Sequence, residues 1–340
     1  MNYDPKKPFT EDIFSMIQET WSRSGPLRVK RVGNNSVVIK NPSYWSDYDE
    51  PDGIDTIGSK GLIHYQMRTF DYAAQDAAAM VFNDLARRGA KPYRMQDFIL
   101  LEKEDIPAIY ELTKGFVGIA KAYGVAITGG ETAIVNTIRG MEVGVAAVGK
   151  VRKGELVVPK IRKGDDVIGV KSSGIHSNGL TLARKKLDEL GLKLEDELYP
   201  TVTIGHELTR PTKIYVRQIQ RVLQTNRDGV HGLSHITGGA FTKLKELTGK
   251  KYDINIRRDH SLKPHYIFSF LKEKGNLSNE EMYETFNNGI GFVIIADPKK
   301  SNDILQVIKP SYSSDIIGTV EKGNGTIRIE SQFSNKTVEL

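Results

Sequence analysis

One loop in the second half of the chain brings together hydroxyl groups, glycines and a histidine. It reads SSGIHSNG over 172–179 and follows an apolar, strand-like segment. Its glycines allow backbone torsions that other residues rarely adopt, and hydroxyls and amides at the start of a helix can hold a phosphate or a carboxylate. His176 is predicted to occupy the tip of the loop, where an imidazole can exchange protons near neutral pH. A polar helix entry with a turn-capping histidine is the alternative that the residues leave open.

A second loop, HITGG at 235–239, again places flexible backbone where a ligand could approach closely. His231 lies four residues before His235, a spacing that would align two metal ligands on a helix. The glycines in and after this segment argue against a helix. We therefore expect no metal-binding histidine pair here.

Three carboxylates stand at the ends of separate elements in the first half. Asp55 lies in the run DTIGSK, Asp84 follows an alanine-rich helical pattern, and Glu131 follows a pair of glycines. Mg²⁺ takes oxygen ligands and commonly links carboxylates to nucleotide phosphates. The three side chains could form such a site, although solvated acids at the ends of loops would give the same pattern.

The segment 144–150 has the spacing GxxxxGK of a phosphate-binding loop. Val151 follows the lysine and offers no hydroxyl for Mg²⁺, and the whole segment is predicted to be one continuous strand. A phosphate-cradling loop needs flexible backbone between a strand and a helix. Any ATP site in this chain must therefore be of another kind.

Strands and helices alternate in both halves, which indicates an α/β or α+β fold. Periodicity in the first half predicts helices over 10–22, 71–88 and 104–123 and strands over 125–127 and 142–151. In the second half it predicts strands over 166–170 and 291–296 and helices over 178–190, 265–274 and 278–286. A polar joint at 152–165 puts a boundary near 160, which gives domains 1–160 and 161–340.

Composition narrows the classes of function. The 340 residues suit two domains, and the absence of cysteine excludes disulfides, thiolate nucleophiles and cysteine-based zinc sites. The net charge of +6 is not gathered into a basic stripe, so we expect a phosphorylated small molecule rather than nucleic acid as the partner. We expect no membrane span and no secretory signal, and hence a cytoplasmic protein.

Several motifs, in order between 52 and 320, resemble those of the aminoimidazole ribonucleotide synthetases, the phosphoribosylformylglycinamidine cyclo-ligases of purine biosynthesis. They are VFND at 81–84, GAKP at 89–92, GGETA at 129–133, SSGIHSNG at 172–179, RPTKIYV at 210–216, HITGG at 235–239 and EEMYETFNNGIG at 280–291. The motifs of the first half are shared with related ATP-using enzymes, whereas those of the second half are specific to the synthetases.

The resemblance implies a two-domain α/β (α+β) fold. Its N-terminal domain would supply strands to a barrel at a homodimer interface, and its C-terminal domain would be an α/β sandwich. The implied reaction uses ATP and Mg²⁺ to close the imidazole ring of aminoimidazole ribonucleotide from formylglycinamidine ribonucleotide. The substrate is thus a phosphorylated ribonucleotide.

The resemblance also implies roles for individual residues. The predicted metal ligands are Asp55, Asp84 and Glu131. The predicted nucleotide contacts are Asp55, Gly58, Ser59, Lys60, Asn83, Gly129, Gly130 and Thr132. The predicted catalytic residues are His176, Lys60 and Asp84. The predicted substrate contacts are Ser172, Ser173, Gly174, His176, Ser177, Asn178, His235, Thr237 and Gly238.

The chain also departs from the family pattern. The run TDGVGTK of the family is IDTIGSK at 54–60 here, the MPG that often follows GGETA is absent, and no glycine-rich segment is recognisable within 25–50. Three alternatives therefore stay open. They are a sibling ATP enzyme of the thiamine-monophosphate kinase or selenophosphate synthetase type, a catalytically silent nucleotide-binding paralogue, and a nucleic-acid-binding protein.

Overall fold

The computed structural model describes residues 10–23, 27–32, 35–40 and 42–340. The helices in these ranges are α1 (Thr10–Gln18), α2 (Pro42–Trp45), α3 (Lys60–Met67), α4 (Phe70–Ala86), α5 (Ile106–Tyr123), α6 (Leu180–Glu189), α7 (Ile204–Leu208), α8 (Val216–Asn226), α9 (Lys245–Thr248), α10 (Tyr266–Lys274), α11 (Asn279–Thr285) and α12 (Ser301–Ile308). The strands are β1 (Arg28–Val32), β2 (Asn35–Ile39), β3 (Tyr48–Asp49), β4 (Asp52–Thr56), β5 (Lys91–Leu101), β6 (Ala126–Ile134), β7 (Met141–Arg152), β8 (Asp166–Lys171), β9 (Glu197–Tyr199), β10 (Val202–Thr203), β11 (Val230–His235), β12 (Tyr252–Ile256), β13 (Ile290–Ala296), β14 (Ser314–Lys322), β15 (Ile327–Glu330) and β16 (Thr337–Glu339).

The first half is built on a five-stranded sheet in the order β3-β7-β5-β6, with β4 also paired to β7. Only β5 and β6 run parallel, and α5 connects them. Helix α4 packs across β4, β5 and β7, because its alanines are small enough to let the helix approach the sheet closely. The predicted strand 142–151 is confirmed as part of β7, so the GxxxxGK spacing is indeed that of a strand.

The three predicted helices of the first half are confirmed as α1, α4 and α5, although α1 ends at Gln18, before the predicted residue 22. Local sequence explains the ends of α5. The side chain of Asp105 accepts a hydrogen bond from the amide of Ala108 and so caps the start of α5. Gly124 ends the same helix with φ of 68°, a left-handed conformation that glycine adopts at little cost. Helix α4 ends at Ala86, slightly before the predicted residue 88.

The second half is built on a seven-stranded sheet in the order β11-β13-β8-β14-β12-β15-β16. Strand β8 lies between β13 and β14 and is antiparallel to both. Alternate residues of β8 enter different cores: Ile168 and Val170 face the cluster that contains α8 and α12, while Val167 faces the cluster that contains α6, α10 and α11. Because β8 ends at Lys171, the SSGIHSNG loop opens directly from the middle of this sheet.

A single apolar cluster joins the two sheets. It contains Val81 and Phe82 of α4 and Ile219 and Val222 of α8, all of them buried. The ends of β8 and α4 are therefore held in a fixed relation by close packing as well as by polar contacts.

Two whole-molecule expectations can be compared with this architecture. The mixed α/β fold is as predicted, but the strands that the structure describes form no closed barrel, and the sheet of the first half is open. Within the described ranges, no helix has the length and apolar character that a membrane crossing requires.

Candidate functional site

The segment 210–215, which we call the strap, connects α7 to α8 and is fastened to α4. The side-chain amide of Gln75 donates to the backbone carbonyl of Thr212 at 2.9 Å, and the carboxylate of Asp76 accepts from the backbone amide of Thr212 at 2.7 Å. Two helical turns further along α4, the side chain of Asn83 donates from Nδ2 to the carbonyl of Lys213 and accepts at Oδ1 from the backbone amide of Tyr215, each at 2.8 Å. One face of α4 thus satisfies the backbone of a strap that has no regular secondary structure.

A buried ionic cluster anchors the beginning of the strap. Oδ2 of Asp76 lies 2.8 Å from Nζ of Lys60 and 2.7 Å from Nε2 of His64, and all three side chains are fully buried. Nζ of Lys60 also donates to the carbonyl of Arg210 at 2.8 Å. Burial alone raises the pKa of Asp76, but the charge of Lys60 and the hydrogen bond from His64 outweigh it and hold the pKa well below its usual value.

This geometry gives Lys60 and Asn83 a different task from the predicted one. Both side chains are buried, and their polar atoms bind Asp76 or the strap rather than opening onto a cleft. The predicted direct contacts of Lys60 and Asn83 with a nucleotide are therefore corrected. Both residues join the two halves of the molecule.

The strap in turn positions the SSGIHSNG loop. The hydroxyl of Ser173 donates to the carbonyl of Pro211 at 2.6 Å, and the hydroxyls of Ser177 and Thr212 lie 3.0 Å apart. Ser172 is buried, and its hydroxyl lies 2.9 Å from the carbonyl of Gly174. The serine hydroxyls thus hold the loop in shape, whereas the sequence suggested that they were free for a ligand.

His176 is not at the tip of this loop. Its side chain is buried with 1% exposure, and its backbone is left-handed with φ of 61°. Nε2 accepts a hydrogen bond from the amide of Ser173 at 3.1 Å, so the neutral ring carries its proton on Nδ1. That Nδ1 has no hydrogen-bond partner among the described residues. Burial, with the nearby charge of Lys60, lowers the pKa of His176 well below its usual value, so the expectation of an imidazole that titrates near neutral pH is wrong.

Asp84, near the end of α4, meets the HITGG loop, and Asp55 lies close enough to Asp84 to feel its charge. Nδ1 of His235 donates to Oδ1 of Asp84 at 3.2 Å, while its Nε2 lies 3.3 Å from Nδ2 of Asn83 and accepts from it. Burial raises the pKa of Asp55, and the charge of Asp84 raises it further. For Asp84, burial is outweighed by the hydrogen bond from His235 and by the charges of Arg87 and Lys243, so its pKa is lowered.

Glu131 does not join these two carboxylates within one chain. Glu131 of β6 pairs with Phe98 of β5, which pairs with Gly144 of β7, which in turn pairs with Thr56 of β4. Three strand spacings of about 4.8 Å place the backbones of Glu131 and Thr56 roughly 14 Å apart. Among the described residues, no group of three or more His, Asp or Glu side chains could hold a metal ion. The structure therefore does not bring Glu131 together with Asp55 and Asp84 within one chain.

The other predicted nucleotide contacts lie either near Asp55 or in β6 with Glu131. Gly58 has φ of 53°, and its amide lies 3.0 Å from Oε1 of Glu142, while the hydroxyl of Ser59 lies 2.5 Å from that of Thr181. Both residues are close in sequence to Asp55. In contrast, Gly129, Gly130 and Thr132 belong to β6 with Glu131.

The two glycine-containing loops come together beside Asp84. An added Cβ on Gly238 would lie 3.3 Å from Oδ1 of Asn178, so the HITGG backbone approaches the side chain of the other loop closely. Nδ2 of Asn178 is buried and has no partner in the described part of the chain. Thr237 is partly exposed, and Gly238 is exposed. The amide of Asn178 and the backbone of Thr237 and Gly238 could therefore form hydrogen bonds to a ligand where the two loops meet.

Sequence reasoning missed several charged residues of this region. Asp76 stands in the middle of an alanine-rich helix and looks like an ordinary solvated acid. Lys243 lies eight residues after His235, in a segment without a recognised motif. Lys171 directly precedes the SSGIHSNG loop and Lys213 lies within the RPTKIYV motif, but neither was assigned a role. Their positions follow from the tertiary packing of the strap and the loops, for which the sequence carries no periodic signal.

Comparisons with known proteins agree with this layout. The family model of the AIR synthase related protein, N-terminal domain, matches residues 53–151, and that of the C-terminal domain matches 162–330. The phosphoribosylformylglycinamidine cyclo-ligase of Methanothermobacter thermautotrophicus is 39% identical over 294 residues, which are 84% of this chain and 83% of that protein. The enzyme of the same name from Methanobrevibacter smithii is 40% identical over 271 residues, 78% of each chain.

Solved structures show the same fold at low identity. Thiamine-monophosphate kinase from Stenotrophomonas maltophilia K279a has a TM-score of 0.68 at 15% identity, with coverage of 97% of this chain and 98% of that chain. Hydrogenase maturation protein HypE in complex with ATP has a TM-score of 0.64 at 14% identity, covering 100% and 95%. T. maritima PurL complexed with FGAR has a TM-score of 0.60 at 16% identity, covering 96% of this chain and 50% of that chain. The predicted mixed α/β architecture is thereby confirmed.

Proposed function

Because the chain belongs to the AIR synthase related family, we propose that it is a ligase of purine biosynthesis that converts formylglycinamidine ribonucleotide and ATP to aminoimidazole ribonucleotide, ADP and phosphate. The observation that carries this proposal is the similarity to cyclo-ligases at 39% identity over 84% of the chain, which includes both halves of the site. The alternative functions, including a sibling kinase and a nucleic-acid-binding protein, have no comparable support.

The chemistry requires an amide oxygen to leave, and an amide oxygen is a poor leaving group. Transfer of the terminal phosphoryl group of ATP to that oxygen gives ADP and a good leaving group. The amidine nitrogen then attacks the same carbon with its electron pair, the five-membered ring closes, and the carbon–oxygen bond breaks to release phosphate. The nitrogen loses its proton, so the substrate loses the elements of water overall.

Asp55 and Asp84 are the residues that would hold Mg²⁺ for this reaction. Their carboxylates are close enough that the charge of Asp84 raises the pKa of Asp55, so a cation between them would relieve a repulsion that the structure contains. Carboxylate oxygens are the ligands that Mg²⁺ takes in proteins that bind nucleotides. Such an ion supplies charge neutralisation for a transferring phosphoryl group.

The two loops would bind the ribonucleotide beside Asp84. Asn178 has an unpartnered amide donor, and Thr237 and Gly238 border the same place. His176 keeps the loop in shape through Nε2 and has an unpartnered N–H at Nδ1. Since burial keeps the imidazole neutral, we propose that His176 donates a hydrogen bond and does not act as a titrating base.

A homodimer fits the open face of the first sheet. Ile54 of β4 is 70% exposed, and its ladder neighbours Ala146 and Gln96 lie in the same groove. Helix α4 covers the opposite face. The groove also includes the polar residues Asp52, Arg94 and Thr128. A second copy of the chain would cover the apolar part of this sheet face with strands of the same pattern.

The proposal is tested by measuring ADP release with and without formylglycinamidine ribonucleotide. We expect the substrate to stimulate ADP release and Asp84→Asn to reduce the stimulated rate by about tenfold or more, as losses around a bound metal do. Asp188→Asn, on the exposed side of α6, is the matched control and should leave the rate unchanged. ADP release that does not respond to the substrate would contradict the proposal.

A further inference from the structure

Two lysines beside the SSGIHSNG loop have no carboxylate to balance them. Within the described part of the chain, no Asp or Glu oxygen lies within 4.0 Å of Nζ of Lys171 or Lys213. Nζ of Lys213 donates to the carbonyl of Lys171 at 3.1 Å, and Nζ of Lys171 donates to the carbonyl of Lys263. An ammonium group has three donors, so each lysine retains donors for another partner.

The two ammonium groups are partly buried and repel each other. Burial lowers the pKa of both lysines, and the charge of Lys171 helps to lower the pKa of Lys213 to about 8. A poorly hydrated charge without a counter-ion costs free energy. The fold nevertheless holds Lys213 in place, because Asn83 binds its carbonyl and the ring of Tyr312 lies 5.0 Å from its Nζ.

A third cation, Arg210, lies against the same loop. Nε of Arg210 lies 2.8 Å from Oε2 of Glu207, and its Nη2 donates to the hydroxyl of Tyr199 at 2.8 Å. The guanidinium stem is next to Gly174, where an added Cβ would lie 3.7 Å from Cδ of Arg210. Arg210 is therefore fixed against the loop but is still partly exposed.

All three charges act on His265, which is bound to the start of the loop. His265 donates from Nε2 to the carbonyl of Ser172 at 3.1 Å. Its pKa is lowered to about 4 by burial first and then by the charges of Lys171, Arg210 and Lys213. The imidazole is thus neutral at pH 7 and adds no fourth charge. The amides of Gly174, Ile175 and His176 make no hydrogen bond within the described residues, so further donors are close by.

We propose that Lys171, Lys213 and Arg210 form an anion pocket at the SSGIHSNG loop that binds the phosphate monoester of the ribonucleotide substrate. The inference rests on the proposed function, because that function supplies a substrate with such a group. A phosphate monoester is close to a dianion at pH 7 and so matches two unpaired ammonium groups. The phosphates of ATP belong with the carboxylate pair Asp55 and Asp84, whose negative charge needs a cation before it can face a phosphate.

Titration calorimetry with ribose 5-phosphate and the full chain tests the pocket, with ADP plus Mg²⁺ as the second probe. Lys171→Met and Lys213→Met should each weaken ribose 5-phosphate binding by about tenfold or more, as the loss of a charge-assisted hydrogen bond does. ADP binding should stay within about threefold of the unaltered chain, since its contacts lie elsewhere. Lys213→Arg keeps the charge and should retain most of the affinity. Lys185→Met, a lysine that is 71% exposed on α6, is the matched control.

Each other outcome counts against the pocket. The proposal is overturned if ribose 5-phosphate shows no saturable binding to the unaltered chain, or if the double variant Lys171→Met with Lys213→Met binds it as well as the control does. Loss of ADP affinity with retained ribose 5-phosphate affinity would assign the lysines to the nucleotide instead. Melting curves of every variant show whether a loss of ribose 5-phosphate affinity comes from unfolding. If a methionine variant is unfolded, Lys213→Arg is the test instead, and a folded Lys213→Arg variant that has lost the affinity would overturn the proposal. If the lysines govern ribose 5-phosphate binding but no ring closure occurs, the pocket stands and the proposed reaction fails.

Discussion

His176 shows how burial changes what a residue can do. Its ring accepts a hydrogen bond from the amide of Ser173 and packs inside the loop. His176→Ala should therefore lower the unfolding free energy by about 2 kcal/mol or more, because a buried hydrogen bond and a filled volume are both lost. His176→Gln, which can keep an acceptor near the position of Nε2, should lose less. Thermal unfolding of the two variants measures the difference, and equal melting temperatures in both variants and the unaltered chain would contradict the structural role.

The same residue gives the protein a predictable acid sensitivity. The pKa of His176 in the folded state is below the value of about 6.5 that it takes in the unfolded chain. Between those values the unfolded state binds more protons than the folded state, so the unfolding free energy falls as the pH drops below about 6.5. The unaltered chain should lose more stability between pH 7 and pH 5 than His176→Gln does. Urea unfolding at the two pH values checks this, and a larger acid loss in the variant would be the wrong sign.

Asp97 should make the protein less stable at high pH, whereas His176 makes it less stable at low pH. This residue of β5 lies beside Gly130, where an added Cβ would be 2.8 Å from Oδ1 of Asp97. Burial raises its pKa to about 7, so the folded state disfavours the ionised form and loses stability as the pH rises from about 4 to about 7. Asp97→Asn should raise the melting temperature at pH 8 and leave it nearly unchanged at pH 4. A variant that is less stable than the unaltered chain at pH 8 would show that Asp97 has a stabilising partner when ionised.

At the scale of the element, α4 connects the carboxylate end of the site to the substrate loop. Asp76 is the central contact, because it binds Lys60, His64 and the amide of Thr212 at once. Asp76→Asn should cost about 3–5 kcal/mol of unfolding free energy, since it leaves the buried ammonium of Lys60 without a counter-ion. Adding Lys60→Met to that variant should recover part of the loss.

Asp71→Asn is the control for this experiment, because Asp71 is an exposed acid in the first turn of the same helix. Its replacement should cost no more than about 1 kcal/mol, the usual size of a charge effect at a helix terminus. If Asp76→Asn is no more harmful than Asp71→Asn, the strap is held by something other than the ionic cluster.

The elements themselves were largely predictable from the sequence, and the contacts between them were not. Helix α5 and strand β7 follow from apolar periodicity and from end signals such as Gly124. The strap has no periodic pattern, so nothing in the sequence shows that α4 holds its backbone. The motif loops were located correctly, but their polar side chains were read as free ligand contacts. Burial of His176 and of Lys60 arises from tertiary packing, which local residue types do not encode.

For the whole molecule, the open face of the first sheet predicts association. Ile54→Glu places a charge in the exposed groove of that face and should shift the protein toward the monomer, because charged groups are depleted from the cores of interfaces. Val158→Glu changes an equally apolar residue, 56% exposed, in the joint between the two sheets and should leave association unchanged. Light scattering should give a dimer mass for the unaltered chain and for Val158→Glu. A monomer mass for the unaltered chain at micromolar concentration would contradict the dimer.

The most direct test of the central claim follows the oxygen that must leave during ring closure. Formylglycinamidine ribonucleotide labelled with oxygen-18 at the formyl oxygen is incubated with the protein, ATP and Mg²⁺, and the released phosphate is analysed by mass spectrometry. The proposed reaction joins that oxygen to the terminal phosphorus of ATP before the carbon–oxygen bond breaks. Each phosphate formed should therefore contain one labelled oxygen, and the organic product should have lost the elements of water. Unlabelled phosphate, with the label still in the ribonucleotide or released to water, would show that ATP is not spent on this oxygen and would contradict the proposed function.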